Sequence, residues 1–210
     1  MVAKVYSACV IGIDAREVTV EMDTAGGLPG ISIIGLPDPS VRESRDRIKA
    51  AIKNSGLPFP TRKITINLAP ADVKKEGASF DLPIALSVLL SEESIKCEDL
   101  DDYIFCGELS LDGRLKPITG ALPIAMAMKG LNKKKFVLPK ENAKEAAVVK
   151  DIDVYPLETL GDVVNFINKR LDVKPHRSDI EIAIRKNSRY RVDFSDVKGQ
   201  EHVKRGLEVA

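Results

Sequence analysis

Residues 62–90 read RKITINLAPADVKKEGASFDLPIALSVLL and contain two different periodic patterns joined by a loop. Residues 62–68 alternate between apolar and polar side chains, which is typical of a β-strand with one buried face. A loop over residues 69–77 leads into a helix predicted from Ser79 to about Leu90, and this helix is apolar on most of its sides. A helix of that kind is expected to lie between layers. The stretch therefore predicts a strand, a loop and a buried helix within one layered domain.

The residues before this stretch predict a hairpin, a third strand and a helix. Residues 5–11 and 17–22 are rich in β-forming side chains and are separated by a turn, so they are predicted to pair as a hairpin. Residues 31–36 predict a third strand. A helix is expected over residues 39–54, because Asp38 can cap its N-terminus and a proline occupies its first position.

After the apolar helix, predicted strands and helices alternate. The strands are predicted over residues 103–109, 136–138 and 154–155, and the helices over residues 121–129, 141–149 and 160–168. Such alternation favours a parallel α/β arrangement. The fold class predicted for the chain is therefore α/β (α+β).

The amino-acid composition changes after residue 170. Charged residues dominate residues 171–191, so we expect a domain over residues 1–170 followed by a linker over 171–191. Residues 192–210 begin a new pattern that breaks off within an amphipathic helix. This pattern predicts that the chain is part of a longer protein.

The composition indicates a globular protein without a strong overall charge. Apolar residues make up 44% of the chain and charged residues 30%, and the formal net charge is +1. Any binding to nucleic acid must therefore depend on a local patch. Cys9, Cys97 and Cys106 form no CxxC pair, so no metal site is predicted and the cysteines are expected to be reduced. Neither a signal peptide nor a membrane span is recognisable, which predicts a cytoplasmic protein with no membrane partner.

One group of basic residues has the spacing of a single helix face and its neighbouring strand. These residues are the nucleic-acid-binding candidates Arg42, Arg45, Lys49, Lys53, Arg62 and Lys63. Lysine and arginine side chains that neutralise several phosphates gain affinity through counterion release. The alternative is a solvated helix face in which Glu43 and Asp46 provide local pairing. No aromatic residue interleaves with these charges, so base stacking is not predicted. Residues 133–135 form a weaker basic patch, interpreted as a polar loop.

Three segments resemble one protein family. GLPD at residues 35–38 with VRES at 41–44, and INLAPAD at residues 66–72 with KEG at 75–77, closely resemble the N-terminal domain of the YifB/ComM-type magnesium-chelatase-like AAA+ ATPases. DFSDVKGQ at residues 193–200 resembles the entry to the ATPase module of that family. No GxxxxGK[ST] occurs in the sequence, so the loop that cradles ATP phosphates is missing from these residues.

The same resemblance extends to the proteolytic domain of Lon, which has the ribosomal protein S5 domain 2-like fold. The Lon serine pattern Lys-Asp-Gly-Pro-Ser-Ala-Gly corresponds to KEGASFD at residues 75–81, which places Ser79 at the nucleophile position. The Lon lysine pattern corresponds to PITGALPI at residues 117–124, and the lysine position is Leu122.

Leucine cannot take a proton from a serine hydroxyl, so no catalytic residue is predicted. Three other lysines are near in sequence and are the alternatives that would restore a base: Lys74, Lys75 and Lys116. The structural role predicted for Ser79 is to cap the helix that follows it.

The resemblance implies a function for the complete protein. It implies an ATPase that uses ATP and Mg²⁺, forms a hexameric ring and remodels or branch-migrates DNA. In such a protein Val197, Lys198, Gly199 and Gln200 would lie near the nucleotide, whereas these residues alone are expected to bind no cofactor. This chain would supply a non-catalytic domain that binds DNA or organises the ring. The alternatives are a pure protein–protein interaction module and a residual peptidase.

Overall fold

The computed structural model describes residues 2–97, 99–177 and 194–209. The chain divides into two compact units, residues 1–178 and residues 179–210. The predicted linker falls partly on residues 178–191, which lie outside the described residues. Its first residues, 171–177, belong to the first unit: Leu171 and Val173 pack on the core, and the His176 N–H donates a hydrogen bond of 2.7 Å to the Val154 carbonyl.

The first sheet has four strands. They are β1 (Ala3–Ile11), β2 (Asp14–Ala25), β3 (Gly30–Ile34) and β4 (Lys63–Ala69), in the order β1-β2-β4-β3. The strand pairs β1/β2 and β2/β4 are antiparallel, and β3/β4 is parallel. The predicted hairpin is confirmed, with a tighter turn than expected: Gly12, at φ 65°, lies in a two-residue connection. A positive φ costs glycine little, because it has no Cβ.

Two helices cover this sheet. They are α1 (Pro39–Asn54) and α2 (Asp81–Ser91), and α2 packs against β1, β2 and α1. The alternation in β4 is confirmed, because Ile64, Ile66 and Leu68 are all fully buried. Residues 81–89 of α2 are buried on every side, as its apolar sequence predicts.

The predicted strand over residues 103–109 is divided into two. β5 (Tyr103–Phe105) ends before Gly107, and β6 (Glu108–Leu109) pairs instead with β7 (Leu115–Lys116) across the Asp112–Gly113 turn. The break has a local cause. The Gly107 N–H donates a hydrogen bond of 2.9 Å to the Ser79 carbonyl, and the Gly107 carbonyl accepts one of 3.0 Å from the Leu82 N–H.

The second sheet is parallel, as the alternation predicts. β8 (Lys135–Pro139) lies between β5 and β9 (Asp153–Leu157). Both faces are covered, which is usual for parallel strands. Val137 of β8 contributes to the core beneath the first sheet, whereas Phe136 and Leu138 contribute to a second core.

Three helices accompany the second sheet. They are α3 (Ala121–Gly130), α4 (Ala143–Ala146) and α5 (Leu160–Ile167). The predicted helix 141–149 is shorter than expected, because residues 140–142 form a 3₁₀ turn and only α4 follows it. Helix α5 begins with a capping box between Thr159 and Asp162. The α/β fold class is confirmed.

The described part of the second unit contains a 3₁₀ turn, Phe194–Asp196, and one helix, α6 (Glu201–Val209). The predicted module begins at residue 192, but residues 192 and 193 lie outside the described range. Within residues 194–209 no strand is present. In the described parts of both units, no helix has the length and apolar character needed to cross a membrane.

Candidate functional site

Helix α1 presents an apolar face to the core and a basic face away from it. Its N-terminus is capped by Asp38, whose Oδ1 atom accepts a hydrogen bond of 2.9 Å from the Val41 N–H. The buried face consists of Val41, Ser44, Ile48, Ala51 and Ile52. Because these positions recur at helical spacing, the charged residues between them, apart from Arg47, project away from the core.

All six predicted nucleic-acid-binding side chains are exposed. They are Arg42, Arg45, Lys49 and Lys53 on α1, and Arg62 and Lys63 where β4 begins. Within the described residues, none of the six forms an ion pair. Glu43 and Asp46, the proposed local partners, likewise form no ion pair with any residue that the structure describes. The structure thus shows no local pairing for these exposed side chains, and both nucleic-acid binding and a solvated helix face stay predictions.

Three of these basic side chains line one cavity. Arg45, Lys49 and Lys53 of α1 border a cavity of about 340 Å³, together with Asp46. The other walls are residues 59–61 and 29–31. The Phe59 ring belongs to this lining, and the Lys49 Nζ atom lies 6.0 Å from the ring centroid. No sequence pattern indicates this aromatic neighbour, because Phe59 lies in a proline-rich loop outside the helix.

A second, more open cavity adjoins the first. It measures about 460 Å³ and shares Gly30 and Ile31 with the first cavity. Lys63 lines this second cavity, whereas Arg42 and Arg62 line neither. The structure thus gathers four of the six predicted residues around two adjoining cavities. We call the six side chains together the α1 basic surface.

The weaker basic patch at residues 133–135 differs from the α1 basic surface. The Lys133 Nζ atom donates a hydrogen bond of 2.6 Å to the Asp101 carbonyl and lies 3.4 Å from the Tyr6 ring centroid. The Lys135 Nζ atom lies 2.9 Å from an Asp99 carboxylate oxygen. Two of the three lysines are thus engaged within the fold, and the predicted polar loop ends at Lys134, because Lys135 already begins β8.

Ser79 is not a helix cap, and that prediction is wrong. It lies in a 3₁₀ turn, Ala78–Phe80, and α2 begins only at Asp81; no side chain caps either element. The cause is the hydrogen bond between the Ser79 carbonyl and the Gly107 N–H, which draws the chain into a tight turn before the helix. Ser79 therefore precedes the position from which a hydroxyl could reach the first-turn N–H groups of α2.

The cavities beside Ser79 lack the lysine of a Ser-Lys dyad among the residues that the structure describes. Ser79 lines two small cavities, of about 180 and 170 Å³, whose only other ionisable side chains are Cys9, Glu76 and Glu108. Leu122, at the lost lysine position, lies in the first turn of α3, where its N–H donates a hydrogen bond of 3.0 Å to Glu145. Neither cavity is lined by a lysine or histidine that the structure describes.

The three alternative lysines are placed elsewhere. Lys74 forms an ion pair of 2.5 Å with Glu76 at the surface, and Lys116 is exposed on β7. Lys75 is fully buried, and its Nζ atom donates hydrogen bonds to the carbonyls of Gly35, at 2.9 Å, and Pro70. Burial lowers the pKa of Lys75 below its ordinary value. Its amine is therefore occupied in holding two loops together.

Those two loops carry the sequence segments on which the family resemblance rests. The Lys75 N–H donates to the Leu36 carbonyl at 3.2 Å, and the Asp38 N–H donates to the Lys75 carbonyl at 3.0 Å. The segments 35–38 and 69–77 thus form one junction at the N-terminus of α1. Sequence reasoning identified both segments but not their contact.

A buried ion pair fixes α1 against α2, and this pair was also missed. The guanidinium of Arg47 donates two hydrogen bonds to the Asp81 carboxylate, Nε–Oδ2 at 2.6 Å and Nη2–Oδ1 at 3.0 Å. The Leu109 N–H donates a third, at 3.1 Å. Burial raises the pKa of Asp81, and these hydrogen bonds oppose the rise. Because Arg47 and Asp81 are 34 positions apart, no local pattern indicates the pairing.

The residues predicted near a nucleotide lie immediately before α6 in the described chain. Val197, Lys198, Gly199 and Gln200 are all exposed and lie between the 3₁₀ turn and α6. Gly199 and Gln200 both have positive φ, 71° and 62°. Among residues 2–97, 99–177 and 194–209, no group of three potential ligands could hold a metal ion.

Comparison with known proteins gives the family and the fold relationship. A family model described as subunit ChlI of Mg-chelatase matches residues 20–142. The chain is 38% identical over 210 residues to competence protein ComM of Haemophilus influenzae, covering 99% of this chain and 41% of that protein. It is 39% identical over 207 residues to the uncharacterized protein YifB of Escherichia coli, covering 98% and 40%. The chain thus spans about two fifths of the length of these curated relatives.

A more distant similarity confirms the Lon-like fold. The chain is 33% identical over 139 residues to the archaeal Lon protease of Thermococcus kodakarensis, which covers 64% of this chain and 22% of that protein. The family model matches more than half of the chain, and the similarity to ComM and YifB extends over nearly all of it. The chain therefore belongs to the magnesium-chelatase ChlI family, as a ComM- and YifB-like member with a Lon-like domain.

Proposed function

We propose that this chain is a non-catalytic, nucleic-acid-binding domain of an ATP-driven DNA-remodelling protein. The observation that carries the proposal is the α1 basic surface: six exposed cations, none of them in an ion pair with a described residue. Phosphates lying along this surface would be neutralised by several cations at once, and each contact would release condensed counterions. The overall charge of +1 makes this local concentration of charge the only electrostatic basis for DNA affinity that we invoke.

The contrast with the other lysines supports the proposal. Lys133 and Lys135 are engaged by carbonyl, carboxylate and aromatic groups. Arg42, Arg45, Lys49 and Lys53 of α1 form no ion pair with a described residue, although Arg42 and Lys49 lie four and three positions from Asp46. Their one aromatic contact among the described residues is that of the Lys49 Nζ atom, 6.0 Å from the Phe59 ring centroid. A surface whose charges are left unpaired suits a partner of opposite charge.

The absence of catalysis in this domain is part of the same proposal. Ser79 lines its cavities beside carboxylates and a thiol, and Leu122 occupies the position of the Lon lysine. A serine hydroxyl needs a neighbouring base to become nucleophilic. We infer that the Lon-like fold here holds DNA or neighbouring subunits instead of cleaving peptides.

The remaining activity belongs to the complete protein and is likewise proposed. A ComM-like member of this family would bind ATP with Mg²⁺, assemble as a hexameric ring in the cytoplasm and move DNA branches. Residues 197–200 would approach the nucleotide only together with a phosphate-binding loop, and no GxxxxGK[ST] occurs in these 210 residues.

Binding of a labelled DNA fork, followed by fluorescence anisotropy, tests the proposal. Replacing both Lys49 and Lys53 by glutamine should weaken binding about 5- to 30-fold, since each exposed charge contact contributes on the order of 0.5–1 kcal/mol. The matched control replaces Lys144 and Lys150, two exposed lysines far along the chain, and should leave affinity unchanged. Equal effects of the two double variants would refute a specific surface.

A protein–protein interaction module is the second candidate. The observation that favours it is the exposure of large apolar side chains at loop tips, with Ile13 and Leu28 each 90% exposed. Apolar side chains in such positions can anchor a partner. If the chain binds no DNA fork at low salt but associates with itself or with the remainder of its natural protein, this second function is the correct one.

A further inference from the structure

The cavity beside Phe59 has the walls of a nucleotide site. Its volume of about 340 Å³ falls at the lower end of the range for small-molecule pockets, roughly 300–1,000 Å³. Three cations form one wall and an aromatic ring lies on the other. A nucleotide has the same two parts, a flat base and an anionic phosphate.

The Phe59 ring is held in place by its neighbours in sequence. Pro58 and Pro60 flank it, and a residue before proline is restricted to extended backbone conformations. The side chain is half-buried: it packs on the core of the first unit and also lines the cavity. The ring therefore loses little conformational freedom when a ligand stacks on it, and this lowers the entropic cost of binding.

The side of the ring near Lys49 is only weakly occupied. The Lys49 Nζ atom is 6.0 Å from the ring centroid, at the outer limit of a cation–π contact. A lysine side chain is flexible and can shift to admit a planar group between its ammonium and the ring. Its charge would then lie beside a stacked base, within reach of the attached phosphate.

The charges around the ring are arranged unevenly. Arg45, Lys49 and Lys53 carry three positive charges, whereas Asp46 carries the single negative one. Phosphates are attracted to the first three and repelled by the fourth. A carboxylate accepts hydrogen bonds from the amino group of a base such as cytosine. The base edge, and not the phosphate, is therefore expected to face Asp46.

The adjoining cavity would extend the binding site along the nucleic-acid strand. It shares Gly30 and Ile31 with the first cavity and is lined by Lys63. A cation beyond the stacked base can neutralise the next phosphate. The combination of a stacking ring with cations along one track is typical of single-strand binding, because duplex bases are already stacked on one another.

We propose that the Phe59 cavity binds one unpaired nucleotide of single-stranded DNA, with the base stacked on Phe59 and its phosphates on Arg45, Lys49 and Lys53. This inference rests on the proposed nucleic-acid function and makes it specific: the domain distinguishes a single strand from a duplex. The distinction depends on one aromatic ring, whereas the proposed function depends on charge. The two can therefore be tested separately.

The test compares a labelled single-stranded oligonucleotide with a duplex of equal length, using anisotropy on the 210-residue chain. Phe59→Leu keeps an apolar side chain for the core but removes the stacking surface, and it should weaken single-strand binding about 5- to 150-fold, the loss of one stacked base. Duplex binding should change less than about twofold. Phe59→Trp should retain single-strand affinity, which separates stacking from misfolding.

Phe166→Leu is the matched control, since Phe166 is another half-buried phenylalanine that packs on Tyr155 and Tyr103, and it should change neither affinity. The inference is overturned if Phe59→Leu leaves single-strand binding intact while the Lys49 and Lys53 double variant weakens it; the proposed function then stands. It is also overturned if Phe59→Leu and Phe59→Trp weaken single-strand and duplex binding equally. If the unaltered chain binds neither DNA, the proposed function itself fails.

Discussion

The ion pair between Arg47 and Asp81 allows a quantitative prediction about how α1 is held. The Asp81 side chain is 1% exposed and the Arg47 side chain 27% exposed. Replacing Arg47 by methionine preserves much of the length of the side chain but removes the charge. The carboxylate of Asp81 would then lie buried with only the Leu109 N–H to support it.

The expected loss of stability depends on which partner is removed, because Asp81 is buried whereas Arg47 is partly exposed. Removing one member of a buried ion pair typically lowers the free energy of unfolding by about 3–5 kcal/mol, and Arg47→Met should fall in this range. Asp81→Asn should cost less, about 1–2 kcal/mol, because an amide still accepts from the Leu109 N–H and the guanidinium of Arg47 can reach water. The difference in unfolding free energy between the two single variants shows which group is left buried without a partner.

Urea unfolding followed by far-UV circular dichroism measures both values, since the chain contains no tryptophan. The pH dependence provides a second test. Burial raises the pKa of Asp81, and the loss of Arg47 should raise it further. An acid whose pKa is higher in the folded state destabilises the fold above that pKa, and the penalty fades as the pH falls towards the unfolded value. The destabilisation of Arg47→Met should therefore be largest at neutral pH and should shrink on acidification.

A loss below about 1 kcal/mol for Arg47→Met at neutral pH would refute the reasoning, because it would mean that the carboxylate is not stranded. A loss that stays constant on acidification would do the same. Either result would show that α1 is positioned by its apolar face alone.

Three further predictions concern the other parts of the first unit. Lys75→Met should lower the free energy of unfolding by about 2–4 kcal/mol in urea, because the carbonyls of Gly35 and Pro70 lose their donor; a loss near zero would contradict the buried junction. Ser79→Ala should change the free energy of unfolding by less than about 0.5 kcal/mol. A fluorophosphonate probe should not label the unaltered chain at Ser79, and labelling would support the residual-peptidase alternative. Oligo-dC should bind about fivefold tighter than oligo-dT, and Asp46→Ala should abolish this preference; equal affinities in the unaltered chain would contradict the placement of the base edge.

Local sequence signals were sufficient for most of the secondary structure. The cap at Asp38 and the proline after it fix the start of α1, since both act within one helical turn. The alternation of Ile64, Ile66 and Leu68 identifies β4 and its buried face, because side-chain direction in a strand depends only on position. Where the prediction was wrong, at Ser79, the cause is a hydrogen bond to Gly107, a residue 28 positions away.

Only part of the candidate site could be predicted, because only part of it depends on local sequence patterns. Helical spacing is enough to place Arg45, Lys49 and Lys53 on one face. The Phe59 ring reaches that face from a separate loop, and the partner of Arg47 lies on another helix. Such contacts depend on tertiary packing, which a single sequence does not show. The sequence could therefore predict the charges of the site but not its stacking surface.

The salt dependence of DNA binding decides whether the α1 basic surface binds DNA. For the unaltered chain on a DNA fork, the logarithm of the association constant should fall with the logarithm of salt concentration with a slope of about −3.6 to −5.4, from four to six phosphate contacts. The double replacement of Lys49 and Lys53 by glutamine should make this slope less negative by about 1.8, and the Lys144 and Lys150 control should not. A slope that is near zero, or that is the same in both double variants, would contradict the claim that the α1 basic surface binds DNA.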